Sequence, residues 1–274
     1  MNSAPKISVV MPFYNAEKFL DTAIQSILHQ TFSDFEFIII NDCSTDNSDS
    51  IVRKYLSDPR IIYTVNTTRV GISKNLNSGI LKARALIIAR MDGDDISELT
   101  RLEKQFFTLK TNPNISIIGS SADVINEKDQ VIDHMTFVSE ATALKEQSFF
   151  RGPFLHPTVM FTKEAFINVG GYNCKYELCE DIDFFLKILF SGYSGMNLDE
   201  TLLKYRKHSQ STDTKILKKA LLGFKIKTTI ARKYNIKISY KIKFFLIMDF
   251  MLTFFPRTLK MHIVRIGKKI LNLK

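Results

Sequence analysis

Three carboxylates occupy four consecutive positions in Asp92-Gly93-Asp94-Asp95, directly behind the apolar run Leu86-Ile87-Ile88-Ala89. Carboxylates this close repel one another, and burying them without a partner is costly. At the exit of a strand they suit a divalent cation or a polyhydroxyl ligand. Hard cations such as Mg2+ take oxygen ligands and usually keep bonds to substrate phosphates. The alternative is an acidic turn whose second aspartate caps the following helix. A second acidic pair, Glu180-Asp181, opens a helical pattern, where negative charge also favours the helix dipole in its own right. Asn41-Asp42 closes another apolar run, and Arg206-Lys207-His208 follows the last strand-like segment.

The elements that must position these groups alternate in type. Short apolar runs at 7–11, 35–40, 61–65 and 86–91 read as strands, the first broken by Pro12. Between them, Ala16, Phe19, Leu20, Ala23, Ile24, Ile27 and Leu28 recur at helical spacing. Ser44 or Thr45 can cap a helix over 46–56, and 71–85 reads as helical despite Gly79. A further helix is expected from Ile96 to Leu109. Such alternation implies crossover units: an α/β fold with a Rossmann-like, mostly parallel central sheet flanked by helices. Ligands bind at the carboxyl ends of such strands. Those ends carry Pro12-Phe13-Tyr14-Asn15, Asn41-Asp42 and the acidic cluster. No G-x-G-x-x-G turn follows the first strand and no P-loop occurs anywhere, which disfavours a dinucleotide site and a P-loop nucleotide site.

Beyond Pro113 the pattern becomes short strands at 115–120, 122–126 and 131–132 around a turn at 127–129, then a helix at 141–149. A Gly/Pro loop over 151–156, a strand at 158–161, a turn at Gly170-Gly171, the helix opened by Cys179 and a strand at 201–205 complete this half. In the helix, Ile182, Phe185, Leu186 and Leu189 form the apolar set. The expected organisation is a catalytic domain over 1–214, with halves meeting near 112, and a basic tail over 215–274.

Charge follows this division. The net charge of +10 comes from the tail, where 16 Lys/Arg face the single acid Asp249; the first 214 residues carry 22 Lys/Arg against 27 acids. A basic, aromatic-rich tail on an acidic body is drawn to anionic surfaces. Residues 216–234 read as a basic helix with Leu217, Ala220, Leu221, Phe224 and Ile230 on or near one face. The apolar stretch 244–255 is shorter than the ~20 residues that span a bilayer. Flanked by lysines and arginines, it suits an interfacial helix; a helical cap packed on the body is the other reading. No nucleic-acid motif accompanies the charge, so no nucleic-acid partner is expected. Three cysteines without metal-type spacing and the lack of an apolar leader point to a cytoplasmic, reducing location.

Several separate segments, in order from Ile7 to Ser211, resemble family 2 glycosyltransferases of the GT-A fold, of the kind that builds bacterial surface polysaccharide. SVVMPFYN and IIINDCSTDNS are similar to the family's nucleotide-binding half, VGISKNLNSGI to a glycine-containing helix start, and IARMDGDDIS to its metal and ribose motif. HPTVMF, GGY, CEDIDFFLKILFSG and LLKYRKHSQS resemble its acceptor half and closing segment. The resemblance implies that Pro12, Tyr14 and Asn15 border the nucleobase and that Asp42 hydrogen-bonds uracil. It places Asp92 and Gly93 at the ribose, Asp94 on Mg2+ or Mn2+ at the diphosphate, Asp95 in support, and His156 in the donor site. It makes Asp181, paired with Glu180, the general base and brings His208 to the metal. Cys43 stands where the family commonly has Gly. Leu76 stands where it often has Arg, so Lys74 or Arg69 would supply that positive charge.

The chemistry is that of sugar transfer from a nucleoside diphosphate. A carboxylate-held metal stabilises the leaving diphosphate, and a carboxylate accepts the proton of the attacking alcohol. One base without a carboxylate nucleophile gives single displacement with inversion. With no tryptophan, the chain cannot carry the Gln-x-x-Arg-Trp motif of the family's processive synthases. The expectation is therefore addition of one hexose or N-acetylhexosamine from a UDP-sugar to a lipid-linked or saccharide acceptor. In lipopolysaccharide, O-antigen or capsule assembly this places the protein peripherally on the inner face of the membrane, docked through its tail. A GDP- or dTDP-sugar donor, or a non-catalytic nucleotide-sugar-binding scaffold, are the alternatives.

Overall fold

The structure, a computed structural model, describes residues 4–150, 152–207 and 216–236. Its first half is the expected alternation: β1 (Ile7–Phe13), α1 (Leu20–Leu28), β2 (Phe35–Asn41), α2 (Ser48–Arg53), β3 (Ile61–Val65), α3 (Ile72–Lys82) and β4 (Ile87–Arg90). β1 and β2 are buried along their whole length, as expected of parallel strands covered on both faces. Helix α1 turns Leu20, Ala23, Ile24 and Ile27 onto that sheet; each large apolar side chain contributes roughly 1.5–3 kcal/mol by leaving water.

Next come β5 (Ile96–Ser97), α4 (Arg101–Thr111), β6 (Ile115–Ile125), β7 (Val131–Met135), α5 (Ala141–Gln147), β8 (Met160–Thr162), α6 (Lys163–Asn168), α7 (Glu180–Phe190), β9 (Ser194–Arg206) and α8 (Ile216–Lys233). All nine strands join one sheet in the order β3-β2-β1-β4-β8-β6-β9-β5, with β7 paired to β6. The β3-β2-β1-β4 block is parallel, β8 joins β4 and β6 antiparallel, and β9 lies parallel to β6. One apolar layer lies under α1, α2 and α4; a second, rich in phenylalanine, lies under α3, α6 and α7.

Several boundaries differ from the sequence reading, each for a tertiary reason. β1 continues through Pro12 to Phe13: β4 pairs with β1 only as far as Val10, so the missing N–H of Pro12 falls beyond the end of β4. α2 starts at Ser48, with Asn47 as an N-cap whose side chain makes no capping bond, so neither Ser44 nor Thr45 caps it. The helix expected from Ile96 begins only at Arg101, because Ile96 and Ser97 pair antiparallel with β9. Gln30 fixes that start, donating to the Glu98 carbonyl (2.7 Å) and accepting from the Leu102 N–H (2.9 Å). The two strands expected at 115–126 are one continuous strand with register shifts at Ser120-Ser121.

The basic helix is observed, with a different apolar face. α8 packs on α7 through Ile226 and Ile230 against Cys179 and Leu186, whereas Leu221 and Phe224 are exposed. The stretch at 244–255 and His208 lie outside the described residues. Among the described residues no helix is long and apolar enough to cross a membrane.

Candidate active site

The acidic cluster is shaped by its neighbours on both sides. β4 ends at Arg90, the chain turns through 91–95, and β5 leaves toward β9. Gly93 presses on the end of β1: a Cβ there would lie 3.0 Å from that of Phe13 and 3.3 Å from Leu20 Cδ1. The turn thus gathers one carboxylate oxygen each from Asp92, Asp94 and Asp95 within 4.8 Å of one another. Asp95 is buried; its Oδ1 accepts the Arg206 backbone N–H at 2.8 Å, while its Oδ2 has no partner among the described residues. Burial, then repulsion from Asp94 and Asp92, pushes the Asp95 carboxyl well above the usual range. Asp92 is pushed up too, by burial first, with Arg90 opposing. An all-oxygen donor set, mutual repulsion and an orphaned buried oxygen fit a hard divalent cation such as Mg2+ or Mn2+. The alternative reading of a simple cap on the next helix loses its basis, since a strand follows the cluster.

Two buried arginines underpin the turn. Arg90 is 3% exposed, donates to Asp92 Oδ2 and has an Nε with no partner among the described residues. Arg101, with no exposed surface, donates to the Arg90 carbonyl (2.7 Å) and to Gln105 Oε1 (3.1 Å). Desolvation, and after it the Arg90 charge, lowers the Arg101 guanidinium to about 9. Arg206, at the end of β9, closes the turn from outside. Its Nε donates to the Asp94 carbonyl (2.7 Å), its Nη1 to the Asn126 carbonyl (3.0 Å) and to Asp129, and its plane covers Phe19.

The second half contributes Glu180 and Asp181 at the first turn of α7. Glu180 is buried, its Oε2 has no partner among the described residues, and burial followed by the Asp181 charge raises its carboxyl to about 7. Asp181 is half-buried; desolvation raises it, against the helix N–H of Ile182 (2.8 Å) and the Arg90 charge. The Asp181 charge also acts on Asp92, and the Arg90 charge acts on both, so the acids of the two halves lie within electrostatic reach of one another around Arg90. His156 is buried, bonded through Nε2 to the Tyr172 hydroxyl at 2.9 Å and within reach of the Arg90 charge. Desolvation holds that imidazole well below its ordinary range, hence neutral. Tyr205 stands beside the cluster, its phenol raised by burial and then by Asp95, Asp92 and Asp94.

The loops after β1 and β2 are stitched to each other. Asn15, at φ 49°, accepts the Thr45 N–H on Oδ1 (2.8 Å) and donates its own N–H to Ser44 Oγ (3.0 Å). Ser48 Oγ accepts the Ala16 N–H and Asp46 the Glu17 N–H. Cys43 takes a left-handed φ of 62°, a conformation glycine adopts without the Cβ penalty. Pro12 is buried and Tyr14 half-buried beneath Arg69, whose guanidinium lies 3.8 Å from the ring centre. Asp42 is buried, with Oδ1 accepting from Asn66 and Val70 and Oδ2 from Gly71, each at 2.9 Å. It therefore holds the loop leading into α3. Burial opposes the Asp42 charge, but these bonds and Asn75 lower its carboxyl overall. Lys74 is exposed on α3, and Leu76 is fully buried.

Asp92, Asp94 and Asp95 are thus gathered on one turn, and Glu180 and Asp181 are linked to it through the Arg90 charge, whereas His156 makes no hydrogen bond to the acidic turn. Sequence reasoning missed Arg90, Arg101, Arg206 and Tyr205. The first two could have been found as charges placed at core positions of a strand and a helix.

A curled α/β sheet with an acidic turn at the carboxyl end of its fourth strand is the arrangement of the GT-A fold. The model of the family described as Glycosyl transferase family 2 matches residues 8–172, and the chain belongs to that family. The O-antigen biosynthesis glycosyltransferase WbnJ of Escherichia coli is 36% identical over 217 residues, covering 77% of this chain and 83% of that protein. The UDP-Gal:alpha-D-GlcNAc-diphosphoundecaprenol beta-1,3-galactosyltransferase of Escherichia coli is 32% identical over 213 residues, 75% of each chain. Among solved structures, TarS 1-349 of S. aureus in complex with UDP-GlcNAc superposes with a TM-score of 0.71 at 18% identity, over 90% of this chain and 71% of that one.

Proposed function

We propose that this chain transfers one hexose or N-acetylhexosamine from a UDP-sugar to a lipid-linked saccharide acceptor, with inversion, in the assembly of a bacterial surface polysaccharide such as lipopolysaccharide, O-antigen or capsule. The observation that carries this is the gathering of Asp92, Asp94 and Asp95 on one turn over the buried Arg90 in a chain of this family, with Asp181 within reach of the same arginine's charge. The diphosphoundecaprenol-linked acceptor of the similar galactosyltransferase supports the acceptor class, and the O-antigen role of WbnJ supports the polysaccharide context.

Asp94, with Asp92 and Asp95, would hold Mg2+ or Mn2+, which supplies Lewis-acid stabilisation of the leaving diphosphate. Arg90 and Arg206 fix the turn from beneath and outside, so the carboxylates need little rearrangement when the donor arrives. Tyr14, with Arg69 over its ring, offers an aromatic face beside the nucleobase position, and Pro12 and Asn15 shape the same wall. Asp42 sets the adjoining loop, and Lys74 lies on the helix that this loop enters. Asp181, raised by burial, accepts the proton of the acceptor hydroxyl as it attacks the anomeric carbon. Glu180 beside it contributes a second carboxyl to the acceptor pocket. His208 would approach the diphosphate from the segment following β9.

The test is a thermal-shift and donor-hydrolysis screen of UDP-, GDP- and dTDP-sugars with Mn2+. UDP compounds are expected to raise Tm, and at least one UDP-sugar to be hydrolysed slowly. Stabilisation by GDP or dTDP compounds alone, or by none, overturns the donor assignment.

A further inference from the structure

A groove of about 710 Å³ runs between the turn ahead of α7 and the outward face of α8. The inner face of α8 is fastened to α7 by Ile226 and Ile230, by the Cys179 thiol donating to the Lys219 carbonyl (3.5 Å), and by a Ser191–Tyr234 hydroxyl pair (2.8 Å). That attachment turns Leu221 and Phe224 outward, 47% and 37% exposed, into the groove beside Leu222. Lys175, Lys218 and Lys225 line the same groove. From 216 to 236 the chain carries no acid. Glu177 is the one acid on these walls, and its carboxylate lies against Gly71, where an added Cβ would be 3.3 Å from Oε1.

Apolar side chains ringed by ammonium groups match an amphiphile with an anionic head and a hydrocarbon tail. The groove's position fits an acceptor better than a donor. Its first wall runs directly into Glu180-Asp181, and the Lys219 charge reaches Asp181. We propose that this groove binds the lipid-diphosphate end of the acceptor, with Lys175, Lys218 and Lys225 on the diphosphate and Leu221, Leu222 and Phe224 on the first isoprene units. The inference rests on the acceptor class proposed above and gives that acceptor a site. It also gives α8 a role: the helix carries one wall of the acceptor groove while its other face fixes the helix bearing Asp181.

Cys174 is exposed on the groove wall, Cys179 is buried, and Cys43, half-buried in the loop after β2, does not line the groove. The full chain is treated with N-ethylmaleimide in detergent micelles, and alkylation is read per peptide by mass spectrometry. Undecaprenyl diphosphate at saturation should slow Cys174 labelling by about fivefold or more. Undecaprenol, inorganic diphosphate and phosphatidylglycerol should each change it less than about twofold. The K218E/K225E variant, its fold checked by the thermal shift with UDP, should lose the protection. Unchanged labelling with undecaprenyl diphosphate overturns the proposal, as does equal protection by phosphatidylglycerol, which would make this face a bilayer contact. A parallel transfer assay to lipid-linked and to water-soluble saccharides separates the two levels. Transfer to the lipid-linked acceptor with Cys174 unprotected removes the groove and leaves the acceptor class. Transfer to soluble saccharide alone removes both.

Discussion

Replacing Glu180 by Gln should make the protein more stable, and more so at high pH than at low. Glu180 is 7% exposed, and its Oε2 lacks a partner among the described residues. Burial, then the Asp181 charge, raises its carboxyl from 4.5 to about 7. An acid raised in the folded state holds its proton longer there than in the unfolded chain. Stability is therefore highest below the unfolded value and falls as pH rises through the window up to the folded value. At about 1.36 kcal/mol per pKa unit, the full difference corresponds to roughly 3 kcal/mol, shared with the adjacent Asp181. Near pH 5.5 only about 1 kcal/mol of this has been lost. Gln keeps the shape and carries no charge, so Glu180→Gln should gain on the order of 1–3 kcal/mol at about pH 8.5 and clearly less at about pH 5.5. Urea denaturation of both proteins at the two pH values measures this. A gain that does not depend on pH, or a loss at pH 8.5, would refute the electrostatic reading of this buried pair.

Three further outcomes follow from named contacts. Arg206→Met removes charge-assisted bonds to the Asp94 and Asn126 carbonyls and the stack on Phe19. It should cost about 3–4 kcal/mol in urea denaturation and weaken Mn2+ binding by calorimetry; a loss under about 1 kcal/mol with normal binding removes Arg206 as the clamp. Gly79→Ala adds a Cβ 2.7 Å from Val10 Cγ1 and 2.8 Å from Ile40 Cδ1. Overpacking of about 1–3 kcal/mol should outweigh the roughly 1 kcal/mol gained in helix propensity, so Tm should fall; a rise would mean that α3 can shift freely off β1 and β2. Because Asp92 and Asp95 hold their protons above the ordinary carboxylate range, Mn2+ must displace them. Apparent affinity should tighten as pH rises from about 5.5 to 8, with proton release seen by calorimetry in buffers of different ionisation enthalpy. Affinity flat over that range would place the ion elsewhere.

The order of the strands was legible because β1, β2 and β4 are short apolar runs separated by helical periodicity. Asp92-Gly93-Asp94-Asp95 was legible because three carboxylates in four residues have few structural uses. What stayed hidden depends on partners distant in sequence. Pro12 reads as a strand breaker unless β4 is known to end before it. Ile96 and Ser97 continue a helical pattern by themselves and become a strand only through β9. Gly79 looks like a helix defect, although the approach of α3 to Val10 and Ile40 demands it. Arg90 and Arg101 stand at core positions of a strand and a helix, but what they hold, and the grip of Arg206 on the acidic turn, is set only by the fold. Asp42 reads as a ligand-facing strand end, yet its oxygens accept from Asn66, Val70 and Gly71. On α8 the periodicity grouped Leu221 and Phe224 with Ile230, and packing against α7 separated them.

The most direct test of the account is Asp181→Asn, measured twice on the same preparation. Sugar transfer to the acceptor should fall by about 10²–10⁴-fold, the contribution of a positioned general base. Binding of UDP with Mn2+, read by calorimetry, should stay within about twofold of the parent, because the leaving-group site is held by the other half of the molecule. Near-normal turnover in Asp181→Asn, with nucleotide binding intact, would contradict the assignment of the proton chemistry to α7.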